Sequence, residues 1–210
     1  MASVTSLSGA PVLEARRDPA FDPAAALREP DARKPLPAVL LGVNGAKSQN
    51  ASVRACWNDN NVFFVFDCAD LHIVAPGRED GMDHFRLGDT VEVFIGRHGE
   101  RGYAEIHATP FGKKASYFFD GYRHRVPPPP QADQIRVASA ATDAGWRAVV
   151  SVPWSVLGGK APGGTWDVFF GRYDYEAEGG SPVLSSFPAQ RATRPDFHRR
   201  ADYAIMRVVP

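Results

Sequence analysis

Residues 89–112 read DTVEVFIGRHGERGYAEIHATPFG and alternate between apolar and polar side chains, as strands do when one face is buried. One side of the two segments is apolar throughout and consists of Val91, Val93, Ile95, Ala104, Ile106 and Ala108. A chain reversal near His98 and Gly99 would join the segments as two neighbouring strands. The stretch therefore predicts an antiparallel β-hairpin with its apolar side toward a core.

The other side of this hairpin is polar. The simplest register sets Phe94 opposite Tyr103, Glu92 opposite Glu105 and Thr90 opposite His107. Like charges placed opposite each other are destabilising, so a buried pair needs a cation, an arginine, a proton or a hydroxyl-rich ligand between its members. The pattern favours either an ordinary solvated sheet face or a saccharide site with Glu92, Tyr103, Glu105 and His107 as its polar contacts.

The rest of the 210-residue chain has the same β-rich character. Nineteen glycines and eighteen prolines separate short apolar segments, and the 44% of hydrophobic residues suffice for a substantial core. Strands are predicted at 38–43, 53–58, 62–69, 90–96, 103–109, 115–120, 134–140, 145–152, 165–175 and 203–209, and short helices at 22–28 and 154–157. The fold class is thus all-β, an antiparallel β-sandwich of about ten strands. We expect one domain over 1–210, with its core at 38–209 and an N-terminal extension at 1–37.

The charge balance and the hydropathy of the chain limit the kinds of partner that it can bind. Twenty-four basic and twenty-four acidic residues cancel, so nothing in the composition draws the chain to nucleic acid or to an anionic membrane. Apolar runs such as 62–66 are too short to span a bilayer. We expect a soluble protein with a neutral or small partner, and its compartment stays open. Cys56 and Cys68 lie far apart in their predicted hairpin and are expected to be buried thiols.

A long polar stretch, LHIVAPGREDGMDHFRL at 71–87, leads into the opening hairpin. Four carboxylates belong to it or precede it, at Asp70, Glu79, Asp80 and Asp83. Calcium takes oxygen ligands from such loops, so they indicate either a calcium site or a solvated acidic loop, with Asp70 and Asp83 as the metal candidates.

Five segments, in order, resemble motifs of family 9 carbohydrate-binding modules. They are VRACWNDNNVFFVFDCAD at 53–70, LGDTVEVFI at 87–95, YAEIHATPFGKK at 103–114, GWRAVVSVPWSVLGGKAPGGTWDVFFGRYDY at 145–175 and LSSFPAQRATRPDFHRRADYAIMRV at 184–208. Together they cover about 38–209. The order of the five pieces is more specific than any one of them.

The resemblance implies a β-sandwich that binds carbohydrate without cleaving it, with structural calcium, often attached to a secreted glycosidase. The two aromatic residues that clamp the sugar in such modules match Phe85 and Phe187, with phenylalanine in place of tryptophan. Glu92, Glu105 and Arg172 match polar positions, and Arg172 or a ligand hydroxyl is expected between the two carboxylates. A secreted or periplasmic location would follow.

Two alternatives to saccharide binding remain at this stage. Related sandwiches carry b-type haem, and Met82 and His84 are a Met/His pair of the kind that ligates haem iron. Glu92 and Glu105 would otherwise serve as the two carboxylates of a glycoside hydrolase, at the separation of about 5 Å that retaining enzymes use. Neighbours on one sheet face present both groups from the same side, which disfavours hydrolysis.

Overall fold

The computed structural model describes residues 10–28, 39–40, 51–159, 164–190 and 194–210. These residues form strands β1 to β13 at Val12–Arg17, Val39–Leu40, Ala51–Trp57, Asn61–Ala69, Thr90–Arg97, Tyr103–Ala108, Lys114–Phe119, Arg125–Val126, Arg136–Thr142, Gly145–Pro153, Gly164–Asp174, Val183–Phe187 and Ala204–Val209. One α-helix, α1, spans Pro23–Arg28, and 3-10 turns occupy His84–Arg86, Ala132–Gln134, Trp154–Leu157 and Arg200–Asp202. The all-β prediction is confirmed. Of the predicted strand at 38–43, all but 39–40 lies outside the described residues.

All thirteen strands belong to one curled sheet. Its order is β8-β7-β6-β5-β11-β13-β1-β3-β4-β10-β9, with β12 beside β11 and β2 beside β3. The main core lies on the inner face and includes Phe64 and Phe66 from β4, Val93 from β5 and Phe170 from β11. Trp146, Trp154 and Trp166 are buried there too. Burial of these large side chains between the two halves of the sheet holds the sandwich together.

The N-terminal boundary of the core was predicted wrongly. Strand β1 lies inside the sheet, parallel to both β13 and β3, and Leu13 and Ala15 are buried in the main core. Its segment VLEARR does alternate, but only these two apolar residues mark the inner face. Such a short pattern is weak evidence of a strand, and only pairing with the distant β13 places it in the fold.

The outer faces of the two halves are covered differently. Helix α1 places Ala26 against Val65 and Val149 on β4 and β10. On the other half, Phe197 and Tyr203 pack against Phe94 and Phe169 on β5 and β11. No helix within the described ranges is long and apolar enough to span a bilayer.

The opening hairpin forms, but its register differs from the predicted one by two residues. Glu92 pairs with His107 and Phe94 pairs with Glu105. The reversal is longer than expected, since Glu100 N donates to Arg97 O at 3.1 Å and Gly99 adopts a φ of 83°. A shift of two residues keeps every side chain on its predicted face and changes only its partner.

Candidate functional site

Three charged side chains from two strands meet on the outer face of the sheet. Glu92 extends from β5, and Glu105 and His107 extend from β6 two residues apart, so alternation puts all three on one side. His107 Nε2 lies 3.1 Å from Glu92 Oε1 and 2.7 Å from Glu105 Oε1. All three are buried, with His107 fully inaccessible. The group between the two carboxylates is therefore a histidine of the same hairpin.

The electrostatics of this triad favour a charged imidazole. Burial by itself lowers the pKa of His107, but Glu92 and Glu105 outweigh it and raise that pKa to about 10. Burial raises the pKa of Glu92, while His107 acts in the opposite direction. At neutral pH an imidazolium thus holds two carboxylates in place at the edge of the core.

A second histidine continues the polar network. His198 Nε2 lies 3.6 Å from Glu105 Oε2, and its Nδ1 is 2.9 Å from the hydroxyl of Tyr103. Burial lowers the pKa of His198, so this ring is neutral at pH 7. Tyr103 in turn stacks on Phe119 of β7, at 4.7 Å between ring centroids. The network fixes the side chains around Glu105 before any ligand arrives.

A cavity of about 170 Å³ lies above the carboxylates. Phe85 forms one side, where its ring is 5.4 Å from the ring of Tyr173 and 5.7 Å from that of His107. The lining consists of Phe85, Arg86, Glu92, Phe94, Glu105, Arg123, Tyr173, Leu184, Pro195, Phe197 and His198. Buried acceptors beside aromatic rings are what a sugar ring requires, because its edges carry hydroxyls and its faces are apolar.

Gly171 makes room for one wall of this cavity. It pairs with Glu92 across β5 and β11, and a Cβ atom there would lie 2.5 Å from Cε2 of Phe197. Any larger residue would displace the Phe197 ring, so the glycine lets that ring pack directly on β11 beside Glu92.

Arg172 is not part of this site, contrary to the expectation. It follows Gly171 on β11 and so points to the inner face, where it is fully buried. Its Nη2 donates to Ala69 O at 3.0 Å and lies 3.3 Å from Asp70 Oδ2 and 3.2 Å from Asp174 Oδ1. The alternation along β11 excludes it from the space between Glu92 and Glu105.

Phe187 does not face Phe85. It pairs with Phe170, an inner-face residue of β11, and packs against the main core. The expected arrangement of two opposed phenylalanine walls is therefore absent. Tyr173, on the outer face, contacts Phe85 instead, and Phe197 from the loop above it contacts Tyr173.

The acidic residues proposed for calcium separate into two places. Asp83 accepts a hydrogen bond from the hydroxyl of Tyr117 at 2.8 Å. Asp70 instead joins Asp89 and Asp174, with oxygens within 4.8 Å of one another. Burial raises the pKa of Asp89 to about 7 and also raises that of Asp174.

That second cluster suits calcium by its donor chemistry. Arg172 contacts Asp70 and Asp174. Asp89 instead accepts hydrogen bonds from the backbone N–H groups of Val74 and Tyr175. One guanidinium beside three carboxylates leaves two negative charges uncompensated when all three are ionised. Calcium binds oxygen ligands of this kind. Asp70, Asp89 and Asp174 would hold the ion, and Asp83 would not.

The structure gives the two alternative functions little support. Met82 and His84 lie in one turn, with His84 N donating to Met82 O at 2.8 Å, and the His84 ring packs so closely that a Cβ on Gly77 would be 2.9 Å from its Nδ1. Glu92 and Glu105 share one histidine from the same side of the sheet. They do not flank a space in which a scissile bond would lie.

A larger groove of about 890 Å³ lies on the other half of the sheet, with Asn60, Phe63, Arg136 and Trp154 in its lining. Trp154 is itself buried in the core, and its indole donates to Asn58 O at 2.9 Å. The groove has no buried cluster of charged side chains among the described residues. The smaller cavity is thus the better candidate site.

Eight of the eleven lining residues were not predicted as site residues. Among the eight are Arg123, Tyr173, Phe197 and His198, which carry polar or aromatic side chains. The segment DFHRR that contains Phe197 and His198 is one of the motifs of the resemblance, so the sequence did contain a sign of that pair. Arg123 reaches the site only through the fold of the turn after β7.

Comparison with known proteins identifies solved structures with a similar fold. No family model and no curated protein matches the sequence. Similar solved structures include a provisionally assigned carbohydrate-binding protein from Bacteroides uniformis, with a TM-score of 0.75 and 15% identity over 94% of this chain and 98% of that one. A family 9 carbohydrate-binding module from Caldicellulosiruptor kristjanssonii matches in complex with cellotriose at TM-score 0.69 and 13% identity, over 94% and 93% of the two chains. Its glucose complex matches at TM-score 0.63 and 13% identity, over 94% and 95%. The chain thus has the fold of family 9 carbohydrate-binding modules, as predicted.

Proposed function

We propose that this protein binds carbohydrate without cleaving it, and that one sugar unit enters the cavity above Glu92. The observation that carries the proposal is a pair of buried carboxylates, fixed by His107, at the floor of a cavity with aromatic walls. Structures of the same fold have been solved with cellotriose and with glucose.

Different side chains would make the polar and the apolar contacts with the sugar. The carboxylates of Glu92 and Glu105 accept hydrogen bonds from sugar hydroxyls, and the guanidinium of Arg123 donates to ring or hydroxyl oxygens. Phe85 and Tyr173 cover the apolar ring face. At about 170 Å³ the cavity is smaller than the roughly 300–1,000 Å³ typical of ligand pockets, so it suits a single ring or the end of a chain.

Binding is favoured over hydrolysis by the same geometry. Both carboxylates contact one imidazole, so they act as a single fixed acceptor array on one side of the ligand. An acid and a base or nucleophile on either side of a glycosidic bond would be needed for cleavage.

The proposal includes a structural calcium ion held by Asp70, Asp89 and Asp174. The ion would neutralise the excess charge of these three carboxylates and would connect the segments that directly follow β4, directly precede β5 and end β11. It lies on the inner-face side of β11, away from the sugar, and would therefore affect stability more than binding.

Saccharide binding is tested on a glycan array followed by calorimetry with the ligands that bind. Glu92→Gln keeps the shape of the side chain and removes its charge, and we expect it to lower the affinity about 10-fold or more. The matched control is Glu100→Gln in the loop of the same hairpin, where the glutamate side chain is 67% exposed. Its affinity should equal that of the parent. An array without any bound glycan, or equal affinities for parent and Glu92→Gln, would refute the function.

A further inference from the structure

Tyr122 is an exposed aromatic ring whose position is fixed. It lies in the turn between β7 and β8 and is 65% exposed. Its hydroxyl nevertheless donates to Asp196 Oδ2 at 2.7 Å, and Arg123 Nη2 donates to the other oxygen of Asp196 at 2.9 Å. The guanidinium of Arg123 also lies over this ring, 5.7 Å from its centroid. A ring that is held in this way and is still largely exposed loses little conformational entropy when a ligand stacks on it.

The contacts of this ring connect it to residues that line the cavity above Glu92. Arg123, the next residue, lines the cavity, and so do Phe197 and His198, which follow Asp196. The backbone N–H of Arg123 also points to the hydroxyl of Tyr103 at 3.4 Å. Asp196 therefore ties the turn that carries Tyr122 to the loop that forms the cavity wall.

The backbone of this turn is unusual. Arg123 has a φ of 54°, and within the described residues no other non-glycine residue has a positive φ. Side chains with a Cβ rarely adopt this conformation, and it persists where surrounding contacts fix it. The conformation directs Tyr122 and Arg123 to one carboxylate, that of Asp196.

We infer that Tyr122 forms a second sugar subsite, and that the ligand is an oligosaccharide of at least two units with one unit in the cavity. This inference rests on the proposed carbohydrate-binding function. The cavity suits one ring, so the next ring of a chain must lie outside it, at the rim that Tyr122 occupies. Stacking on Tyr122 would cover the apolar face of that second ring.

The test compares monosaccharides with the oligosaccharides built from them, in calorimetric titrations. Glucose and cellotriose form the first pair, followed by the corresponding pairs for every glycan that binds on the array. The quantity compared between parent and variant is the ratio of oligosaccharide affinity to monosaccharide affinity. Tyr122→Ala should lower this ratio about 2- to 10-fold, and the ratio cancels any change at the cavity that follows from loss of the Tyr122–Asp196 hydrogen bond. Phe111→Ala is the matched control, since Phe111 is 49% exposed and does not line the cavity.

The outcomes of these titrations distinguish failure of the Tyr122 subsite from failure of the proposed carbohydrate binding. If the parent binds saccharides and Glu92→Gln weakens binding, but Tyr122→Ala leaves the ratio unchanged, the subsite is refuted and the function stands. A fall in the ratio for Phe111→Ala as large as that for Tyr122→Ala would also refute it. If no saccharide binds the parent, both fail together.

Discussion

The Nε2 atom of His107 lies 3.1 Å from Oε1 of Glu92, directly across the pairing of β5 and β6. Neither side chain has appreciable access to solvent. A buried carboxylate without a partner is costly, and removal of one member of a buried ion pair leaves the other uncompensated. His107 therefore allows acidic acceptors to line the floor of a cavity next to the core.

The charge of His107 makes stability depend on pH. Its pKa rises from an ordinary value of 6.5 to about 10 on folding. A raised pKa contributes stability that is fully present below about pH 6.5 and is lost as the pH rises toward 10. In urea unfolding at intervals from pH 6 to 10, the stability difference between parent and His107→Gln should shrink with rising pH. A constant difference over that range would contradict a charged His107.

Phe85 and Phe187 should behave differently when each is truncated. Phe85 contacts the cavity, so Phe85→Ala should reduce saccharide affinity about 2- to 10-fold with a small effect on stability. Phe187 packs against the core, so Phe187→Ala should lower the melting temperature, with a cost of about 3 kcal/mol, and leave the affinity unchanged below that temperature. Calorimetry and thermal unfolding check the two effects. Equal losses of affinity in both variants would support a clamp of two phenylalanines instead.

Arg172 should matter for stability and not for binding. Arg172→Gln removes the guanidinium that Asp70 and Asp174 contact on the inner face, which we expect to cost about 3 kcal/mol or more. Chemical unfolding measures that cost, and titration at a temperature where the variant is folded measures the affinity. A stable Arg172→Gln protein with weakened saccharide binding would place Arg172 in the sugar site.

Calcium should raise the melting temperature. The ion would bind the folded carboxylate cluster and not the unfolded chain, so stability should rise with its concentration and fall after treatment with a chelator. Asp89→Asn should abolish the response. Asp83→Asn is the control that should retain it, because Asp83 lies outside the cluster. A melting temperature of the parent that is the same in calcium and in chelator would contradict the calcium site.

The alternation of apolar and polar residues was sufficient to predict much of the fold. Strict alternation over 90–97 and 103–108 assigned Glu92, Glu105 and His107 to one face, and the structure keeps them there. The partner of Glu92 was not predictable in this way, because it depends on how many residues the reversal at 98–102 contains. Because side chains alternate along β11 and Gly171 pairs with Glu92, Arg172 must point to the inner face. The prediction of Arg172 as a site residue came from the family resemblance, which does not specify the face.

The parts of the site that come from loops were beyond the sequence. Phe197 and Arg123 meet at the cavity only because Asp196 joins two segments that are about seventy residues apart in the chain. No periodic pattern encodes such a contact. The same holds for β1, whose position depends on parallel pairing with the last strand.

The most direct test of the central claim is a crystal structure of the protein with the saccharide that binds it most tightly. The account predicts a sugar ring in the cavity, with hydroxyls hydrogen-bonded to Glu92 and its apolar face against Phe85 or Tyr173. A sugar bound only elsewhere, for example in the groove beside Phe63 and Arg136, with the cavity above Glu92 free of ligand, would contradict it.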